Sequence, residues 1–378
     1  VLLNNGDLSK TEIVWFYPAS MTQNRFNKFK AEWENTFATL FGAPISNIIA
    51  ASESVAPYYY HKAKKGATST VVSVDIGGGT TDVLIVDKGE PKYLTSFRFA
   101  ANTIFGDGYS YDSDSNGFVN KYKDIITNQL ETNNLRGLKA VLKSVLDKRV
   151  STDVIAFLFS LASNKEIKKE KVEINFAKML ADDNRGKYVV ILFYVAIVYH
   201  IAKLMKAKGF DMPRHMTFSG NGSKVLNILS TNDATLVRLT KIIFEEIYAQ
   251  SYSIDGLDII RPANSKESTC KGGIILTPFQ SQDYGEIKDM KTILIGTDNE
   301  KFADVHMTYN DVTEADLDSV VDVIKEYIEF TFKLDKKFSF YDNFDVDRSI
   351  MNKVKDLCYR DIRTVSYTHL TLPTTSRV

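Results

Sequence analysis

The sequence predicts an α/β protein, and three observations carry that expectation. Val71–Asp87 reads VVSVDIGGGTTDVLIVD, an apolar strand, a glycine turn and a returning apolar strand. Tyr188–Tyr199 (YVVILFYVAIVY) is wholly apolar, as in a helix buried against a sheet. Further strand-like segments at Glu12–Pro18, Lys92–Phe99 and Leu257–Arg261 are separated by helical ones. With 378 residues the chain can bury one large core or two lobes of ordinary size.

Bulk composition narrows the partners. Lys+Arg and Asp+Glu balance at 47 each, so no net field favours nucleic acid or an acidic membrane. Cys270 and Cys358 are the two cysteines and form no CxxC pair, which points to a reducing, cytoplasmic setting and away from a zinc site. The histidines, His61, His200, His215, His306 and His369, have no metal-like partner at i+3 or i+4. The dozen apolar residues of Tyr188–Tyr199 fall short of the about 20 that span hydrocarbon, so a buried helix is expected and no membrane span.

The elements follow in order. Glu12–Pro18 (EIVWFYP) is a strand closed by proline. Ser20 or Thr22 then caps a helix over Asn24–Leu40, whose Phe26, Phe29, Trp33, Phe37 and Leu40 share one face and are expected in the core. Ile48 and Ile49 form a short strand, and Glu53 opens a helix. The tyrosines Tyr58–Tyr60 suit packing between lobes or contact with a partner. Asp87–Glu90 makes a turn, and Lys92–Phe99 alternates polar and apolar as a third antiparallel strand. Phe118–Lys208 is mostly helical, with the lysine-rich Lys165–Lys171 as a solvated face. In His215–Leu226 (HMTFSGNGSKVL) a strand ends in a glycine turn that feeds a helix. Leu257–Arg261 is a strand, and Asn264–Leu276 a capped helix with close-packing Gly272 and Gly273. Lys291–Ile295 reads as a strand, Thr313–Asp316 as a capping box opening a helix through Phe332, and Asp347–Asp361 as a further helix. Val365–Val378 shifts abruptly to Thr, Ser and Pro and resembles translated adapter sequence, so it is set aside as a non-native tail.

Chemistry gathers at the glycine turn. Gly77, Gly78 and Gly79 lack Cβ, so φ > 0 is open to them and their N–H groups can line a concave anion site for phosphate oxygens. Thr80 and Thr81 add hydroxyl donors. Asp75 and Asp82 repel phosphate, and their place beside such a cradle makes sense with Mg²⁺ between them, usually through water. The plainer reading is a hairpin with an ordinary glycine turn. Ser219–Ser223 is a second glycine turn, able to hold an anionic or ribose group on free N–H donors.

At these residues the chain resembles the ATPase superfamily of actin, the 70-kDa heat-shock chaperones and the sugar kinases. DIGGGTTD looks like the second phosphate loop in the form of bacterial actin-like and chaperone-type ATPases. FYPAS resembles the strand end that precedes that loop. The resemblance makes Glu53 the acid near Mg²⁺ and the attacking water, although a glutamate favoured by the dipole of its own helix reads the same. It places Gly106 and Gly108 beside the nucleotide, where an ordinary loop would look similar. It makes Gly220, Gly222, Ser223 and Lys224 the adenosine side, and Glu267, Cys270, Gly272 and Gly273 a small-residue helix joining the lobes.

The implied fold is a two-lobed actin-like ATPase with ribonuclease H-like lobes and a helical insertion in the second. Residues 1–60 would be the remainder of the first lobe with the inter-lobe helix, and 61–276 the second lobe with its insertion at about 118–208. Residues 277–364 would be an appendage that docks on the core or begins a further domain, and 365–378 the tail. The family's first phosphate loop should precede Glu12 and is not found, nor is its first-lobe lysine, so the resemblance implies an N-terminally truncated fragment. ATP hydrolysis is expected of the full-length parent more than of the fragment. Gly77, Gly78, Gly79, Thr80 and Thr81 would hold the phosphates of ATP. Asp75 and Asp82 would lie at Mg²⁺, and Asp75 with Glu53 would orient the water. The implied function is a switch in lobe closure driven by Mg-ATP and acting on a protein partner. A filament-forming bacterial actin homologue, a non-catalytic nucleotide-binding scaffold and a small-molecule kinase of the same fold are the alternatives, the last without a visible substrate base.

Overall fold

A computed structural model describes residues 11–19, 21–42, 44–65, 70–106, 113–253, 256–262, 265–275, 311 and 313–371. In chain order the elements are β1 (Ile13–Tyr17), α1 (Gln23–Phe41), β2 (Ile48–Ser52), α2 (Ala56–Lys65), β3 (Val71–Ile76), β4 (Thr81–Asp87) and β5 (Glu90–Phe97). There follow α3 (Ala101–Phe105), α4 (Gly117–Thr132), α5 (Arg136–Asp147), α6 (Ser151–Ser160), α7 (Lys165–Lys169), α8 (Phe176–Asp182) and α9 (Asn184–Ala207). Then come β6 (His215–Ser219), α10 (Leu226–Leu229), α11 (Asp233–Tyr248), β7 (Asp258–Ile260) and α12 (Ser265–Ile275). Last are α13 (Glu314–Phe338), α14 (Phe340–Phe344) and α15 (Arg348–Thr371). The chain divides into two compact units. The first comprises Val1–Arg98, Phe210–Ser223 and Tyr252–Thr292, and the second Phe99–Gly209, Lys224–Ser251 and Ile293–Val378.

The first unit holds the two sheets found among the described residues. β1 and β2 pair in parallel, and the larger sheet has the order β5-β4-β3-β6-β7. β3, β6 and β7 run parallel, while β4 and β5 are antiparallel to their neighbours. β4 and β5 are joined through Lys88 (φ 51) and Gly89 (φ 82), the two left-handed residues that a tight hairpin turn matching strand twist requires. Lys62 Nζ and Tyr58 OH both donate to the Gly89 carbonyl, which ties this turn to α2. On β5 the expected alternation fails: Tyr93, Leu94, Thr95 and Ser96 are buried in succession. Val55, Ala56, Tyr58 and Tyr59 pack on Val71, Leu84, Val86 and Leu94, so the start of α2 covers one face of the larger sheet.

α12 lies against α2, and its glycines explain how closely. A Cβ on Gly272 would run into the carbonyl of Ala56, and one on Gly273 into the ring of Phe16. The expectation of close packing at this pair therefore holds.

α1 departs from expectation. Gly42 (φ 62) ends it with a left-handed cap whose N–H returns to the Ala38 carbonyl. Its aromatics stack on Trp15, with ring centres of Phe26, Phe29 and Trp33 within 6.1 Å. Yet no residue of α1 is fully buried; Phe29 is 42 % exposed and Leu40 69 %. Beneath the stripe Trp15 is the buried residue of β1, and the outer end of the stripe at Leu40 lies open.

The second unit is helical and is built around α9. This helix has 24 residues, twice the apolar run that marks it in the sequence, because Asp183 caps it early and Lys206 closes its last turn. Among the described residues it is the one helix long and apolar enough to cross a membrane, and 67 % of its apolar window is buried inside the unit. A helix apolar on all sides is a core helix when protein surrounds it, and α8, α10, α11, α13 and α15 do so here. The expected capping box opens α13: Asp316 N–H donates to Thr313 Oγ1, and Thr313 N–H to Asp316 Oδ2 at 2.7 Å. α13 runs on past Phe332 to Phe338. Tyr327 OH donates to the Leu192 carbonyl at 2.5 Å, and Tyr199 and Lys203 both donate to Glu326. The C-terminal helices thus share a core with α9. α15 continues through Thr371, across the composition change at Val365. The expected strand at Lys291–Ile295 lies outside the described residues.

Candidate functional site

The carboxyl end of β3 is where the site residues meet. Asp75 stands opposite Asp82 on β4 and opposite Ser219 on β6. Side chains at matched register share a sheet face, so two carboxylates and a hydroxyl are brought together here. Ser219 OH donates to Asp75 Oδ2 at 3.0 Å. One step down the same ladder, Thr217 OH donates to Ser73 Oγ in the buried interior.

The first glycine loop is a hairpin tip. The ladder runs to Ile76 opposite Thr81, and Gly77 N–H donates to the Thr80 carbonyl at 2.9 Å. Gly78 and Gly79 are exposed at the tip, with Gly77 and Thr80 half-buried beside them. Two expectations change. None of Gly77, Gly78 and Gly79 has a positive φ. Thr81 is fully buried within the ladder, so its hydroxyl lies inside the sheet and not at the tip. What glycine supplies at Gly79 is room: among the described residues no atom would lie within 4 Å of a Cβ there. The space against the tip backbone is open to a ligand.

The second loop has the opposite character. Gly220 has φ +80, and a Cβ there would strike the Ile76 carbonyl and Asp75 Oδ1. A Cβ on Gly222 would strike the Gly77 carbonyl and approach Ile76 Cγ2 at 2.8 Å. The two glycine loops, 140 residues apart in sequence, are therefore pressed together backbone to backbone, which neither motif alone discloses. The helix expected after the second loop is broken: a 3-10 turn over Asn221–Val225 precedes the four-residue α10. Ser223 N–H and OH both turn back to the Gly220 carbonyl, which favours the tighter turn.

Glu53 lies in the turn between β2 and α2, not in the helix, which starts at Ala56. Its N–H donates to the Tyr17 carbonyl at 2.9 Å, and its side chain is half-buried. Asp82 is only 6 % exposed. Its Oδ2 accepts from Ser54 OH at 2.7 Å and from Ala19 N–H at 3.4 Å, and its Oδ1 from Ser96 OH at 2.5 Å. Ser54 and Ser96 carry no motif, and only their contact with Asp82 marks them. Lys224 is exposed and Gly106 closes α3, its N–H on the Asn102 carbonyl; both belong to the second unit. Gly108 lies outside the described residues.

Among the described residues no three of His, Cys, Asp and Glu gather as a metal cage. Mg²⁺ does not call for one, since it keeps several waters and takes one or two carboxylates together with phosphate oxygens. Asp75, half-buried beside an open tip, suits that donor set.

No family model matches the chain, and no curated protein does. Among solved structures the chain is similar to the ethanolamine utilization protein EutJ from Carboxydothermus hydrogenoformans, at 11 % identity over 71 % of this chain and with a TM-score of 0.31. The chain spans 66 % of that protein's length. So loose a likeness carries no argument about function. The chain is a mixed α/β protein whose five-stranded sheet brings two glycine loops together at Asp75.

Proposed function

We propose that this chain belongs to an ATP-binding and ATP-hydrolysing protein of the actin-like, chaperone-type class, in which Mg-ATP drives a conformational switch read by a protein partner. One observation carries the reading: Gly220 and Gly222 seat the second loop on Ile76 and Gly77 of the first, with Asp75 at the junction. A phosphate loop and a nucleoside loop must converge in this way to grip one nucleotide. The open tip at Gly78 and Gly79 suits phosphate oxygens, with Thr80 beside it, and Gly220, Gly222 and Ser223 line the adenosine side.

Phosphoryl transfer to water asks for positioning and charge neutralisation more than covalent chemistry. Asp75 would hold hydrated Mg²⁺ and orient the attacking water. Glu53, fixed through its backbone to Tyr17, assists with that water. Mg²⁺, when bound, neutralises charge on the β- and γ-phosphates. Two free cysteines, one of them exposed, suit a reducing compartment.

Steady-state hydrolysis alongside Mg-ATP binding tests the roles. Asp75→Ala is expected to lower turnover more than nucleotide affinity, and Gly78→Val to abolish binding by crowding the phosphates. Intact turnover in both variants would remove the assignment.

A filament-forming relative is a second reading, favoured by the partly exposed aromatic stripe of α1 together with Phe41 and Ile45. Contiguous apolar surface of this kind marks interaction sites. ATP-dependent sedimentation that Phe29→Ser abolishes would support it, and sedimentation unchanged by nucleotide would exclude it.

A further inference from the structure

We infer that Asp82 is a positioning residue, a clasp that fixes the Glu53 turn, and not a ligand of the metal. The inference rests on the ATPase reading for its consequence and on hydrogen bonding for its geometry. Both carboxylate oxygens of Asp82 already accept bonds from inside the protein. Ser54 comes from the turn before α2, Ala19 from the segment after β1, and Ser96 from β5. Three separate elements of the first unit are thereby fastened to β4 at one buried point. Ser54 follows Glu53 directly, and Glu53 N–H is held by the Tyr17 carbonyl. The turn is thus pinned on both sides, at Tyr17 and at Asp82. A metal at Asp82 would have to displace hydroxyl donors from a nearly inaccessible carboxylate, whereas Asp75 across the ladder is half-buried. The consequence is a division of labour between two neighbouring acids. Asp75 faces the ligand, and Asp82 faces the scaffold that aims Glu53.

Hydrogen exchange on the nucleotide-free chain tests the clasp. Removing one such bond should raise local opening about five- to tenfold, so Ser54→Ala is expected to speed exchange at Tyr17, Ala19 and Glu53–Val55 by that factor. Asp82→Asn should do the same or more. Unchanged exchange in Ser54→Ala, a substitution mild enough to leave the fold intact, would overturn the inference. A Mg²⁺ titration of ATP turnover tests the role. The clasp predicts that Ser54→Ala and Asp82→Asn both lower kcat, with the KM for ATP and the Mg²⁺ midpoint unchanged. A midpoint raised by Asp82→Asn and not by Ser54→Ala would make Asp82 a metal ligand and refute it. A wild type that binds no Mg-ATP would remove the ATPase reading and leave the clasp to stand or fall on exchange.

Discussion

Both units bury large apolar side chains, and the first adds close backbone contacts at its glycine loops. In the second, α9 is encased in large side chains, and Tyr188, Tyr194, Phe176, Phe244, Phe338 and Phe340 are among the largest fully buried groups of the described chain. The first buries Tyr58, Phe218 and Leu84 in the same way, but where its two loops meet the decisive positions are glycines, where the backbone of one segment occupies the space a side chain would need. A packed helical core tolerates exchange among apolar residues of similar volume. A backbone-to-backbone contact tolerates nothing larger than hydrogen. The candidate site stands on the second kind of construction.

The largest effect should come from hollowing the helical core. Tyr194→Ala removes a fully buried ring and its hydroxyl contact with Thr240, and should destabilise the second unit by about 3–5 kcal/mol, read by denaturant unfolding. Phe at the same position should keep most of that stability.

Next in size, Gly220→Ala adds a left-handed penalty of about 1–2 kcal/mol to a clash worth about 1–3 kcal/mol. It should lower the melting temperature and disturb nucleotide binding together. Gly79→Ala sharpens the contrast. With nothing near its Cβ, stability should change by less than about 0.5 kcal/mol, while phosphate affinity falls. Equal destabilisation by both substitutions would erase the distinction between a glycine that makes room for protein and one that makes room for ligand.

A pH effect separates the units again. Burial pushes His200 on α9 down to about 4, below the about 6.5 of the unfolded chain. The unfolded state therefore binds the extra proton first, so stability is full above pH 6.5 and is lost as pH falls towards 4, by up to about 3 kcal/mol. His200→Gln should flatten that part of the stability profile against wild type; an unchanged slope would place the proton uptake elsewhere. The smallest effect is expected at Glu246, held by Lys333 and Lys337. Glu246→Gln should cost about 0.5–1 kcal/mol, less in high salt.

Much of the larger sheet was legible in the sequence, because strand–glycine–strand and strand–glycine–turn patterns are local. Asp75 and the two loops stand out for the same reason. The contact between the loops was not legible, since it depends on β6 lying beside β3, a pairing across 144 residues for Ser219 and Asp75. Ser54 and Ser96 were invisible for a like reason, as a hydroxyl acquires a role only from the carboxylate it meets. The same limit holds for α1: an aromatic stripe at helical spacing specifies an apolar face, but not how much of that face the rest of the chain covers.

The most direct test of the account is calorimetric titration of Mg-ATP into the wild type and into Gly79→Val, with thermal unfolding of both proteins alongside. The account predicts heat of binding for the wild type, none for Gly79→Val, and closely similar melting temperatures. Absence of binding in the wild type, or equal binding by the two, would contradict a phosphate site at this hairpin tip.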